Sequence, residues 1–330
     1  MLRMKPLVIL IAVGGLSLAQ TAAAQDAVRV GTSSVGSVFY TLAVGVSEII
    51  TKHAKVNATA EPVGGSAANM RGLAAKNIEF AIGNAFAAFT AYKGTDTFKK
   101  PIDLRLVVQG QPSYRWFVLR KASGIKRVED LKGKTIVAKR RALPELTLIM
   151  DALISVTGLS KGDVKRVETT NTGQVLQALK AGSIDGAVFP FSRRAPHVQE
   201  PMTDGMLDFL YVSKDVRDAM LKRLPPMMWD ETFKPGVFKG QDKPLHLIGL
   251  NTYFLTRPGV SDDTAYKVAK AIYENTKEFA SYHRTAAQWN LKRALKNVAL
   301  PFHNGVIRYF REKGVWTAAL DARQKELLKR

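Results

Sequence analysis

The chain has 330 residues, no cysteine and a formal net charge of +21 at neutral pH. The length accommodates two domains with cores of their own, and the lack of thiols excludes disulfides, thiolate metal sites and a lipid-bearing cysteine anchor. The basic excess favours anionic partners by long-range steering and carries no information about fold.

Residues 1–24 have the layout of a secretory signal: Arg3 and Lys5 precede an apolar run over 7–18, and Ala22, Ala23 and Ala24 offer a small-residue cleavage point before Gln25. No later run approaches the roughly 18 apolar residues of a membrane-spanning helix. The expected location is therefore the periplasm, with no stable membrane insertion of the mature chain. Next comes an apolar run from Val28 that ends in the turn Gly31-Thr-Ser-Ser-Val-Gly-Ser and opens into a helical pattern. A second turn, Gly64-Gly-Ser, repeats the arrangement. Helix starts leave backbone N–H groups unpaired, so two of them aimed at one place make a site for a small anion.

Further along, the segment from Leu73 to Ile82 is echoed from Leu179 to Val188, with Ala75 over Ala181, Ile78 over Ile184, Glu79 over Asp185 and Ala81 over Ala187. Both copies have the pattern of a helix end, a turn and a buried strand. They lie too far apart for a solenoid period, so they indicate two lobes built from one strand–helix–strand unit, chance likeness of short apolar segments being the alternative. Aromatic and β-branched runs at Tyr114 and Tyr253 predict strands where the chain leaves the first lobe and returns to it. Between them, the segment from Gly133 predicts the first strand of the second lobe, and 146–156 its following helix. The expected organisation is α/β, with largely parallel sheets. Lobe one spans 25–118 plus 252–330 and lobe two spans 119–251. A cleft lies at the carboxyl ends of the strands.

The segments Gly36-Ser-Val-Phe-Tyr, Gly64-Gly-Ser-Ala-Ala-Asn-Met-Arg, Ala91-Tyr-Lys-Gly, Asp130-Leu-Lys-Gly-Lys and Pro301-Phe-His-Asn-Gly-Val resemble, in that order, landmarks of the TAXI-type solute receptors of tripartite ATP-independent periplasmic (TRAP) transporters. The resemblance covers nearly the whole chain after the signal. It implies a two-lobed periplasmic binding protein, type II-like, whose lobes are joined by hinge strands. Such a receptor captures a small organic solute and delivers it to integral-membrane TRAP subunits, with no cofactor. It also implies that Thr32, Ser33, Ser34, Gly36, Ser37, Phe39 and Tyr40 of the first turn, and Gly65, Ser66 and Asn69 of the second, line the pocket. Chemistry agrees, because small residues let a carboxylate approach the backbone and helix N-termini favour negative charge. Phe39 and Tyr40 either face the ligand or pack in the core, and Ser33, Ser34 and Ser66 are either ligand donors or helix caps.

Two departures qualify the transfer. Where relatives carry a glycine-rich loop after the first strand of lobe two, this chain has Ala138, Lys139, Arg140 and Arg141. Either Arg140 or Arg141 grips a ligand carboxylate in place of the loop, or the basic run is a solvated surface. Asn84 replaces a more polar run and is either an amide donor to ligand or a local turn bond. Together these residues favour an anion such as an amino acid, keto acid or dicarboxylate. Two rival classes remain open. A basic exported protein binding anionic surfaces or polymers is one, although the basic residues are too dispersed for a nucleic-acid interface. An enzyme is the other, although the chain lacks a Walker A lysine, a His-Glu-x-x-His metal motif and a Gly-x-Ser-x-Gly elbow.

Overall fold

The computed structural model describes residues 27–33 and 35–329; the signal sequence expected over 1–24 and Ser34 of the first turn lie outside the described residues. The chain begins with β1 (Ala27–Thr32), α1 (Val38–Ile49), β2 (Asn57–Pro62), α2 (Ser66–Ala74), β3 (Phe80–Asn84) and α3 (Ala85–Lys93). Leu42, Val46 and Ile49 recur on one face of α1 and are buried, the spacing that turns a helix stripe toward a sheet. All five residues of β3 are buried, as expected of a strand covered on both faces. A sixteen-residue strand, β4 (Arg105–Arg120), then carries the chain away.

The second unit repeats the first: β5 (Thr135–Lys139), α4 (Glu145–Thr157), β6 (Lys165–Glu168), α5 (Thr172–Ala181) and β7 (Gly186–Phe191). The strands of the two units are arranged alike, β2-β1-β3 in one and β6-β5-β7 in the other, and each unit is parallel inside. The echo between 73–82 and 179–188 is thus the shared passage from the second helix of a unit into its third strand. Next come α6 (Pro196–Thr203), β8 (Leu207–Phe209), α7 (Lys214–Leu221), β9 (Trp229–Phe233) and the return strand β10 (Leu245–Thr256). The chain closes with α8 (Asp262–Glu274), α9 (Thr276–Tyr282), α10 (Leu291–Ala294), α11 (Asn304–Glu312) and α12 (Ala318–Leu328).

The two long strands join the units into one sheet in the order β2-β1-β3-β10-β4-β7-β5-β6. β10 runs antiparallel to both β3 and β4, and β4 runs antiparallel to β7. The sheet is therefore mixed, and the expectation of parallel strands holds within each unit. One strand carries the chain out and the other brings it back, so they must oppose each other. The fold is α/β and two-lobed, with β4 and β10 as crossings.

Each crossing strand carries a glycine under a tryptophan. A Cβ on Gly110 of β4 would sit 2.5 Å from the Trp289 ring, and one on Gly249 of β10 would sit 2.6 Å from the Trp229 ring. Only a residue without a side chain permits that approach. The Trp289 indole also donates to Gln111 Oε1 at 2.6 Å, which ties the returning chain to β4 beside its crossing.

Candidate ligand-binding cleft

In the first lobe the two glycine turns close on each other. The Thr32 carbonyl accepts from the backbone N–H groups of Val63 (3.1 Å), Gly64 (3.3 Å) and Gly65 (3.3 Å). Gly64 and Gly65 have φ of 115° and 106°, values that glycine adopts without a steric penalty. Ser33 Oγ lies 3.6 Å from where a Cβ on Gly65 would be. Ser66 Oγ accepts from the Asn84 N–H at 3.1 Å, and the Asn69 amide donates to the Ile82 carbonyl at 2.8 Å. Thr32, Ser33, Gly65, Ser66, Asn69 and Asn84 are thus brought to one place at the carboxyl ends of β1 and β3. Asn84 is spoken for in part, because its Oδ1 accepts from the Ala87 N–H at 2.8 Å and caps α3.

Three buried polar atoms in this cluster have no hydrogen-bond partner among the described residues: Thr32 Oγ1, Asn69 Oδ1 and Thr252 Oγ1, the last on the β10 residue paired with Asn84. Buried polar groups left unpaired are uncommon and call for a partner. The first turn divides in function. Ser37 Oγ accepts from the Tyr40 N–H at 3.1 Å and caps α1, Gly36 is exposed with φ of 82°, Phe39 packs against the core, and Tyr40 is half-buried. By contrast α2 begins at Ser66 with no side-chain cap.

The second lobe sets charges of its own at the start of α4, the counterpart of α1. Glu145, at the first turn of α4, is fully buried, and its Oε1 accepts from Arg115 Nε (3.1 Å) and Nη2 (2.9 Å). Arg115 comes from β4 and also donates to Ser113 Oγ at 2.6 Å. Arg140 is half-buried and donates to the Thr170 carbonyl at 3.2 Å and to Thr172 Oγ1 at 3.0 Å, both in its own lobe, whereas Arg141 is exposed. Burial and the neighbouring Arg115 pull the Arg140 guanidinium below its ordinary range, with Glu145 acting in the opposite sense. Among the described residues, neither arginine bonds to the first-lobe cluster.

A cavity of about 700 Å³ runs between Val38 and 280–285 of the first lobe and 190–197 of the second, floored by Gln111, Pro112 and Ser113 of β4. It continues through Pro112, Ser192, Arg284 and Thr285 into a second cavity of about 490 Å³, where Arg193, Arg194 and Arg284 meet Tyr114 and Gln288. Arg284 Nη2 donates across the gap to the Arg194 carbonyl at 3.4 Å. Arg193 lies over the Phe233 ring, 4.5 Å from its centroid. Arg194 has φ of 57°, uncommon for a residue with a side chain. Burial, and secondarily Glu231, pushes the Tyr114 hydroxyl up to about 12, so it stays protonated, and it donates to Glu231 Oε2 at 3.3 Å. Burial lowers His197 and His283, which keeps both imidazoles uncharged near neutrality.

The three arginines of this cavity escaped the sequence reading, in which Arg193 and Arg194 counted only as dispersed charge. Arg193 and Arg194 lie in the loop after β7, where the first unit instead passes directly from β3 into α3.

A family profile described as the NMT1-like family matches residues 30–314. The chain belongs to the NMT1-like family. Among solved structures, PhnD1 from Prochlorococcus marinus in complex with methylphosphonate matches with a TM-score of 0.56 at 10% identity, over 88% of this chain and 99% of the other. MatC from Rhodopseudomonas palustris with bound malate matches with a TM-score of 0.53 at 12% identity, over 92% and 99%. A periplasmic sulfonate-binding protein from Methylobacillus flagellatus gives 0.50 at 16%, over 92% and 95%. At such identities the likeness concerns the fold alone: this NMT1-like chain shares the two-lobed α/β architecture of those proteins.

Proposed function

We propose that the protein is a periplasmic receptor, not an enzyme, that captures a small organic anion between its lobes and presents it to integral-membrane TRAP subunits. The observation that carries this reading is the arginine-lined cavity: Arg193, Arg194 and Arg284 face it from both sides, and none of the three is ion-paired to a carboxylate among the described residues. The first-lobe face supports it, since the cluster of Thr32, Ser33, Gly65, Ser66, Asn69 and Asn84 combines hydroxyls and amides with an uncapped helix start. On this reading the anion is held chiefly by the cavity arginines, with Arg140 and Arg141 at the margin because Arg140 is committed within its own lobe. The lobes are 25–118 plus 252–330 and 119–251, and both internal limits, 118/119 and 251/252, fall inside β4 and β10. Closure about these strands is stabilised by whatever affinity the ligand has for closed over open.

A melting-shift screen across amino acids, keto acids, dicarboxylates and monocarboxylates tests the reading. A ligand present at about 100 times its dissociation constant adds roughly 2.7 kcal/mol to the native state, a readily visible rise. Saturable one-to-one binding without turnover, surviving moderate salt, is the expected result. Steep salt dependence without selectivity would point instead to a surface that binds anionic polymers.

A further inference from the structure

Resting on the receptor reading, we infer that the ligand is an organic acid with an apolar body, its charged head on Arg193 and Arg284 and its body along Val38, Tyr282 and Pro196. The two joined cavities differ in character along their length. One end presents the guanidinium groups of Arg193, Arg194 and Arg284. The other presents Val38 and Tyr282 from the first lobe against Ala195 and Pro196 from the second. Val38 and Tyr282 are 47% and 38% exposed, an unusual degree for large apolar groups set side by side in a cleft, and apolar area left open at a concave site is area that a ligand can cover. His197 and His283, which flank this end, are held uncharged by burial, so no cation interrupts the apolar stretch. At about 700 Å³ the apolar end alone has the size of a pocket for a ligand well beyond four carbons. A compact diacid would meet arginine at one end, while the other offers its second carboxylate only uncharged polar groups such as Gln111, Ser113 and Ser281.

Two features mark the charged end as built. Arg194 holds its left-handed backbone while its carbonyl accepts from Arg284 across the gap; strained backbone concentrates at ligand clamps. The Arg193 guanidinium lies over the Phe233 ring, a cation–π contact that holds it in place for a planar carboxylate.

The test is calorimetric titration of the purified protein with straight-chain monocarboxylates from acetate to octanoate, with phenylacetate, with succinate and malate, and with the matched primary amides. Affinity should rise about fourfold per added methylene until the cleft is filled, from about 0.8 kcal/mol per buried methylene. Arg193→Gln and Arg284→Gln should each weaken the acids at least tenfold and leave the amides unchanged. Tyr282→Ser should flatten the chain-length dependence while sparing acetate. These side chains are exposed, so ligand-free melting temperatures of the variants serve as the folding control. If succinate or malate binds one-to-one while the longer monocarboxylates do not, the inference falls and the receptor reading stands. If none of the acids binds, both fall.

Discussion

The two lobes repeat one topology and use it differently. In the first, the strand ends carry glycine turns, a helix start without a side-chain cap and buried polar atoms that have no partner among the described residues. In the second, α4, the counterpart of α1, begins with Glu145, clasped by Arg115 from the crossing strand, and α5, the counterpart of α2, is capped by Asn171. A negative charge at a helix N-terminus is favourable wherever it comes from, so the second lobe meets this preference with its own side chain and, on the proposed reading, leaves ligand charge to Arg193, Arg194 and Arg284. On the proposed reading, the strand ends of the first lobe serve binding, whereas the helix starts of the second are filled by the protein's own side chains.

The strongest way to break this comparison is at Glu145. Glu145→Ala leaves Arg115 buried and uncompensated and should cost about 3–5 kcal/mol in urea unfolding. Replacing the pair together, Arg115→Met with Glu145→Leu, should be close to neutral or stabilising. A single substitution as mild as the double would show that the charge is not structural.

The crossings come next. Gly110→Ala and Gly249→Ala each drive a methyl into an indole ring and should lose about 1–3 kcal/mol by overpacking, read from the same denaturation curves. Unchanged stability would mean that the rings move aside freely and do not pin the crossing strands.

On the first-lobe face, Asn84→Ala removes the α3 cap and should cost about 1 kcal/mol. The smallest expected effect is that of pH. Burial lowers His197, His283 and His303 in the fold, so the unfolded chain binds more protons near their ordinary value of about 6.5. Stability is full above that value and declines as pH falls from about 6.5 toward the depressed folded values. Melting temperature should therefore drop modestly between pH 7 and 5.5, and His303→Gln should reduce the slope. His303 sits outside the cleft: its Nδ1 accepts from the Gly305 N–H and its Nε2 donates to the Val260 carbonyl, so its variant tests stability apart from binding.

Much of the architecture was legible because it rests on local pattern. Gly31 to Ser37 and Gly64 to Ser66 mark strand-to-helix turns that appear where expected, the segment from Gly133 becomes β5, and 146–156 lies within α4. The repeat around Leu73 and Leu179 correctly pointed to two like units. The strand order and the antiparallel crossings were not legible, since pairing between β10 and β3 joins residues far apart in the chain with no shared motif. Among site residues, the cluster around Thr32 and Gly65 follows from turn chemistry. Arg284 could not be found this way, because only the fold brings the end of α9 against the loop after β7. Arg140 shows the converse: its position after β5 suggested a ligand contact, and its bonds to Thr170 and Thr172 depend on a neighbouring loop that local sequence does not specify.

The most direct test of the contrast between the two sets of arginines is one calorimetric comparison. With the best-binding acid of the panel, Arg140→Gln should retain affinity within about threefold, whereas the Arg193→Gln, Arg284→Gln double variant should lose tenfold or more, the difference in charge-assisted hydrogen bonds that each set offers the ligand. Loss of binding in Arg140→Gln with full retention in the double variant would contradict the account.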